Sequence, residues 1–156
     1  MQHMRMDRID RKILALLQED ASIPQTDLSE KVNLSPSQCS RRIQRLESEG
    51  IIRRHVALLN PEALGLQVEA YVAVALATYV KEAVAAFHER ISSLDSVVDC
   101  CSLTGDIDYL LRVVSKDLRA FNEFINRDLL GPGDVASVRS SIVLDRIKRT
   151  TALPVG

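Results

Sequence analysis

The apolar period changes once along this chain, at Asn60-Pro61-Glu62-Ala63-Leu64-Gly65, and that change divides what can fold. Before it, apolar residues recur every three or four positions, as they do on helix faces. After it, β-branched runs alternate with helical spacings. Residues 60–67 read as a turn and linker. A chain of 156 residues is long enough for a core on each side of such a break.

The first half predicts three helices. Asp7 is placed as an N-cap for a helix carrying Ile9, Ile13, Leu16 and Leu17 on one stripe. Pro24 fits the first turn of a short second helix with Leu28 and Val32 inward. Asn33 tolerates the left-handed backbone of a tight turn. Ser35-Pro36 then combines an N-cap with a proline at the first helical position, the strongest helix start in the chain. This third helix runs to about Glu49, with Gly50 as its stop. Cys39, Ile43 and Leu46 share an inward face. Gln38, Arg41, Arg42 and Arg45 share another, with Ser35 and Ser37 at its N-terminal end.

Helix N-termini present free N–H groups, and hydroxyls beside a basic stripe suit phosphates and guanine edges. The alternative is an ordinary solvated helix face. Net charge is −1 overall, but residues 36–55 hold five arginines against Glu47 and Glu49, a local +3. Ile51 to Leu59 follows and is expected to form a small β-hairpin, or wing, bearing Arg53 and Arg54. The expectation is a winged helix-turn-helix DNA-binding domain over residues 5–59.

The second half, residues 68–156, reads strand, helix, strand, strand, helix, strand. The expected strands are Val68 to Thr78, Val97 to Leu103, Ile107 to Val114 and Val135 to Leu144. The helices are Lys81 to Leu94 and one capped by Asp117 and stopped by Gly131-Pro132-Gly133. This β-α-β-β-α-β order is ferredoxin-like, an antiparallel sheet with both helices on one face. The other face is expected to be largely apolar and covered by a partner subunit. The fold class is therefore α+β.

Catalytic motifs are absent: there is no phosphate-binding glycine loop and no HExxH, and His3, His55 and His88 are scattered. The sequence does not read as an enzyme and implies neither a metal nor a cofactor. Three cysteines, two of them adjacent, make no disulfide framework; Cys100 and Cys101 are expected to pack on a strand. A reducing cytoplasm, in association with the nucleoid, fits that usage, and neither a membrane span nor a secretion signal is present. Thr104-Gly105-Asp106-Ile107-Asp108-Tyr109 forms a tight turn with two carboxylates. It is either a solvated turn or a small-ligand loop, in which a carboxylate meets an ammonium and backbone N–H groups meet a carboxylate. That polarity is the polarity of an α-amino acid.

The stretches MDRIDRKILALLQED, LSEKVNLSPSQCSRRIQRLESEGII, TGDIDYLLRV and SVRSSIVLDRIKRTTALP span almost the whole chain. In residues, order and spacing the chain resembles the Lrp/AsnC, or feast/famine, transcription regulators. The resemblance implies a winged helix-turn-helix, a linker strand and a βαββαβ sensor. It implies homodimers through the sensor sheets, commonly assembled into octamers, and amino-acid effectors at sensor interfaces. Carried over by position, DNA contacts fall on Ser35, Ser37, Gln38, Arg41, Arg42 and Arg45. Cys39 stands where an aliphatic core residue is usual. The effector loop falls on Thr104, Gly105, Asp106 and Asp108, and Ser140 stands where threonine is common. Asp106-Ile107 departs from the usual residue-plus-tyrosine pair, and the extra carboxylate is expected to favour a cationic ligand or to disfavour apolar ones. The alternative function is a general nucleoid-organising protein without an effector.

Overall fold

The computed structural model describes residues 6–156. Arg5, the expected first residue of the DNA-binding domain, and His3 lie outside them. The chain divides into two compact units. One holds the residues through Leu58 together with Lys148–Gly156, and the other is Leu59–Ile147.

The first unit is built on α1 (Arg8–Glu19), α2 (Gln25–Val32) and α3 (Pro36–Ser48). Their ends are fixed by local chemistry. Asp7 Oδ1 accepts from the Asp10 amide at 2.8 Å, and Asp10 Oδ2 accepts from the Asp7 amide at 3.1 Å, a reciprocal capping box. Ser35 and Gln38 repeat the device at the start of α3, with Pro36 at the first helical position. Pro24 sits one step earlier than expected, at the cap of α2 rather than inside its first turn. Asn33 takes the left-handed conformation (φ 56°) between α2 and α3. Gly50 (φ 71°) ends α3: its amide reaches Glu47 O, and the Ile51 amide reaches Leu46 O, both at 2.9 Å. That pairing closes a helix only with a left-handed residue between, which glycine accepts without strain. The core is Ile13, Leu14, Leu28, Val32, Cys39 and Leu46. Cys39 is packing, as expected, and burial pushes its thiol up.

One expectation fails here. Residues 51–60 contain no strand, so the wing hairpin is not formed. The physical reason lies in Arg53-Arg54-His55-Val56-Ala57, which offers no Gly, Asn, Asp or Pro to reverse the chain. At the far end, residues 148–156, expected as the end of the second domain, pack with the first unit. Arg11 Nη1 donates to Val155 O at 2.6 Å, and Gln18 exchanges hydrogen bonds with the Leu153 backbone at 3.0 and 2.7 Å.

The second unit has β1 (Val68–Leu76), α4 (Lys81–Ser93), β2 (Val97–Ser102), β3 (Tyr109–Ser115), α5 (Leu118–Phe124) and β4 (Val135–Ile142). Strand order is β2-β3-β1-β4, antiparallel throughout, as the β-α-β-β-α-β pattern requires. A π-helical turn, Ile125–Leu130, extends α5. A side chain at Gly131 would meet Arg127 O at 2.5 Å, so glycine is required there. Alternate residues of β1 from Val68 to Leu76 are buried with Phe87, Ile91, Phe121, Phe124 and Leu129.

The opposite sheet face is only partly apolar, against expectation. Tyr71, Ala73, Ala75, Leu110 and Val114 occupy its centre, while Arg139, Ser137 and Ser141 line the β4 side. Glu69 lies on this face, paired with Arg112 at 3.2 Å and Arg146 at 2.5 Å. Burial raises its carboxyl, but the two guanidiniums outweigh that and hold it below its ordinary value. A carboxyl depressed on folding contributes stability above its unfolded value and loses it as pH falls through the folded one. Melting temperature should therefore fall below about pH 4.3, the ordinary glutamate value. Glu69→Gln should lie lower at neutral pH and fall less steeply in acid. Parallel curves for the two proteins would contradict this.

Candidate nucleic-acid interface and effector loop

The N-terminal half of α3 presents Ser35, Ser37, Gln38 and Arg41, all exposed. The Ser35 and Ser37 hydroxyls lie 3.0 Å apart, and Gln38 Oε1 accepts from the Ser35 amide at 3.0 Å. This fixes the Gln38 side chain by its oxygen. Gln25 Nε2 donates to Pro36 O at 3.2 Å and ties α2 to the same helix start. Arg41 has no carboxylate within ion-pair distance among the described residues, and neither have Arg53 and Arg54 on the extended segment after α3.

Arg42 and Arg45 behave differently from Arg41. Arg42 Nη1 sits 2.7 Å from both Asp7 and Asp10, and Arg45 Nη2 sits 2.6 Å from Asp10. Asp10 is fully buried, and its Oδ2 also serves the α1 cap by accepting from the Asp7 amide. The Asp10 amide and the Arg42 guanidinium hold the Asp7 carboxyl below its usual range. The basic stripe is thus divided. Arg41 is free to meet a phosphate or base, whereas Arg42 and Arg45, 26% and 44% exposed, clasp α3 to the start of α1. Sequence reasoning missed Asp10. Its only signal was three-residue spacing from Asp7, which gives the capping box but not the partners on α3.

In the second unit, Thr104, Gly105 and Asp106 are exposed on the turn between β2 and β3, and Gly105 has φ 120°. Asp108 is half-buried. Its Oδ2 accepts from the Leu76 amide at 2.7 Å, and the Tyr79 hydroxyl donates to Oδ1 at 3.0 Å and to Oδ2 at 3.2 Å. Its own amide donates to Val74 O at 3.0 Å. Asp108 therefore fastens the loop to the end of β1. Tyr79 was not legible as its partner, because nothing in the spacing links them.

Ser140 is not brought to this loop within one chain. It stands opposite Val72 on β4, while Asp108 precedes Tyr109, the partner of Val74 on the other side of β1. Strand geometry puts about 10 Å along β1 and two strand spacings of about 4.8 Å between them.

Cys100 and Cys101 are exposed on β2, the strand at one edge of the sheet, rather than packed. His88 spends its ring nitrogen on the Tyr109 hydroxyl at 2.8 Å. Among the described residues no three His, Cys, Asp or Glu side chains are grouped to hold a metal. Among the described residues no helix is long and apolar enough to cross a membrane.

Comparison with known proteins finds a match in each half of the chain. Residues 6–53 match the winged helix-turn-helix DNA-binding family, and residues 69–153 match the Lrp/AsnC ligand binding domain. The transcriptional regulator AzlB of Bacillus subtilis is 37% identical over 96% of each chain. The DNA-binding transcriptional activator DecR of Escherichia coli is 37% identical over 96% of this chain and 99% of its own. A transcriptional regulator of Neisseria meningitidis, crystallised as its complex with L-Met, superimposes with a TM-score of 0.93 at 41% identity, covering 96% of this chain and 97% of that one. The chain is a DNA-binding transcriptional regulator and belongs to the Lrp/AsnC family.

Proposed function

We propose that this regulator binds promoter DNA sequence-specifically through the start of α3 and that an α-amino acid bound at the Thr104–Asp108 loop modulates its DNA affinity or assembly. The observation that carries the DNA half is the exposed Ser35, Ser37, Gln38 and Arg41 set, held rigidly by the α3 capping box. Arg41, Arg53 and Arg54 supply phosphate contacts and a steep salt dependence; Ser37 and Gln38 supply base-edge choice. Arg42 and Arg45 chiefly position the helix.

The protein acts as a homodimer through the open face of the sensor sheet, with dimers gathering into octamers. Tyr71, Ala73, Ala75, Leu110 and Val114 form the apolar centre of such an interface, and the polar residues around them form its rim. The separation of Ser140 from Asp108 fits a pocket completed by a second copy. Paired heads then read half-sites about one DNA turn apart. The likeness to a methionine-bound relative makes a neutral amino acid the first effector to test. The protein works in the cytoplasm, on the nucleoid.

Asp108→Ala should abolish the effector response while leaving DNA binding without effector intact. Gel shifts with and without each amino acid read this directly. A normal response would place the pocket elsewhere. DNA binding with poor sequence preference and no response to any amino acid would favour a general nucleoid-organising role.

A further inference from the structure

We propose that Tyr79 contacts the effector and sets its selectivity, its ring forming the wall for a neutral, apolar amino-acid side chain; the inference rests on the loop reading above. Tyr79 follows β1 and is 72% exposed, although its hydroxyl is held by both oxygens of Asp108. An aromatic kept only for structure buries its ring and lets the polar tip find a partner. Here the tip is fixed and the ring is in solvent. Val80, the next residue, is 58% exposed, and Leu103, whose amide donates to Asp108 O at 2.9 Å, is 42% exposed. Three exposed apolar side chains thus belong to the segments that Asp108 ties together.

The carboxylate has about four acceptor positions. Leu76 and Tyr79 take three of them, so an arriving ammonium competes with the phenol for Asp108 while the ring remains beside it. Asp106, the second carboxylate of the loop, is exposed, and water screens its preference for a cation. The apolar wall therefore outweighs the cationic preference expected from the sequence.

Calorimetric titration of the full chain with L-methionine, L-leucine and L-lysine tests this. Tyr79→Ala should bind L-methionine at least about tenfold more weakly and lose its preference over L-lysine. Tyr79→Phe keeps the ring and removes the competing hydroxyl, so it should bind equally or up to about tenfold tighter, the range one hydrogen bond covers. Both should melt close to the parent, since the ring is exposed. Parent-like affinity in Tyr79→Ala, or equal losses in both variants, overturns the role of the ring. Asp108→Ala in the same series separates the two levels. If it loses binding while the Tyr79 variants keep it, only the Tyr79 inference fails. If it binds like the parent, or the parent binds none of the three, the loop reading fails and this inference with it.

Discussion

Asp10→Ala should lower the stability of the helix-turn-helix unit by about 3 kcal/mol. Breaking a buried ion pair from one side costs about 3–5 kcal/mol, because it leaves charge without a partner in a poorly solvated site. Asp10 is fully buried and receives Arg42 at 2.7 Å, Arg45 at 2.6 Å and the Asp7 amide at 3.1 Å. The guanidiniums are partly exposed and can turn toward water, which puts the loss at the lower end of that range. Asp10→Asn keeps the shape and an acceptor for the Asp7 amide, so it should fall between the alanine variant and the parent. Differential scanning calorimetry reads the effect as a shifted transition for the first unit. An unchanged melting profile would show that the clasp between α1 and α3 contributes nothing.

Arg41→Ala should weaken specific DNA binding about tenfold or more and flatten the salt dependence by about one unit of slope. Arg41 is exposed and has no carboxylate partner among the described residues, so its guanidinium has nothing to give up on meeting DNA. Its removal should leave melting unchanged. Arg42→Ala should do the reverse in part. It breaks the contacts to Asp7 and Asp10, so its first signature is a lower melting temperature, and any loss of DNA affinity follows from a poorly placed α3. Binding isotherms at several salt concentrations, with melting curves alongside, separate the two. If Arg42→Ala removes affinity and salt slope without changing stability, while Arg41→Ala does nothing, the division of the basic stripe is wrong.

The features that sequence predicted well are those decided within a few residues. Ser35-Pro36 at the start of α3, Asn33 at a tight turn, and Gly50 after α3 each carry their own stereochemical reason. The order of strands and helices after residue 67 followed from alternating periods, because each strand buries one face against the helices. What was hidden depends on residues distant in the chain. An outward stripe on α3 looks uniformly basic until α1 lies against it and Asp10 takes two of its arginines. Asp108 looks like a free turn carboxylate until the Leu76 amide and the Tyr79 hydroxyl close on it. The wing expectation failed because basic and β-branched residues were read as a hairpin without a residue to turn it. The last residues read as part of the sensor because they follow its final strand, whereas their backbone is held by Arg11 and Gln18 of α1.

The measurement that bears most directly on the regulator reading is a gel-shift and sedimentation series on the DNA upstream of the protein's own gene, with each of the twenty amino acids in turn. The proposed function predicts specific binding whose affinity or assembly size shifts with one amino acid, apolar and neutral, and by linkage DNA then shifts the affinity for that amino acid in turn. Tight binding to any DNA, unmoved by all twenty, would contradict it and return Thr104 to Asp108 to the role of a turn.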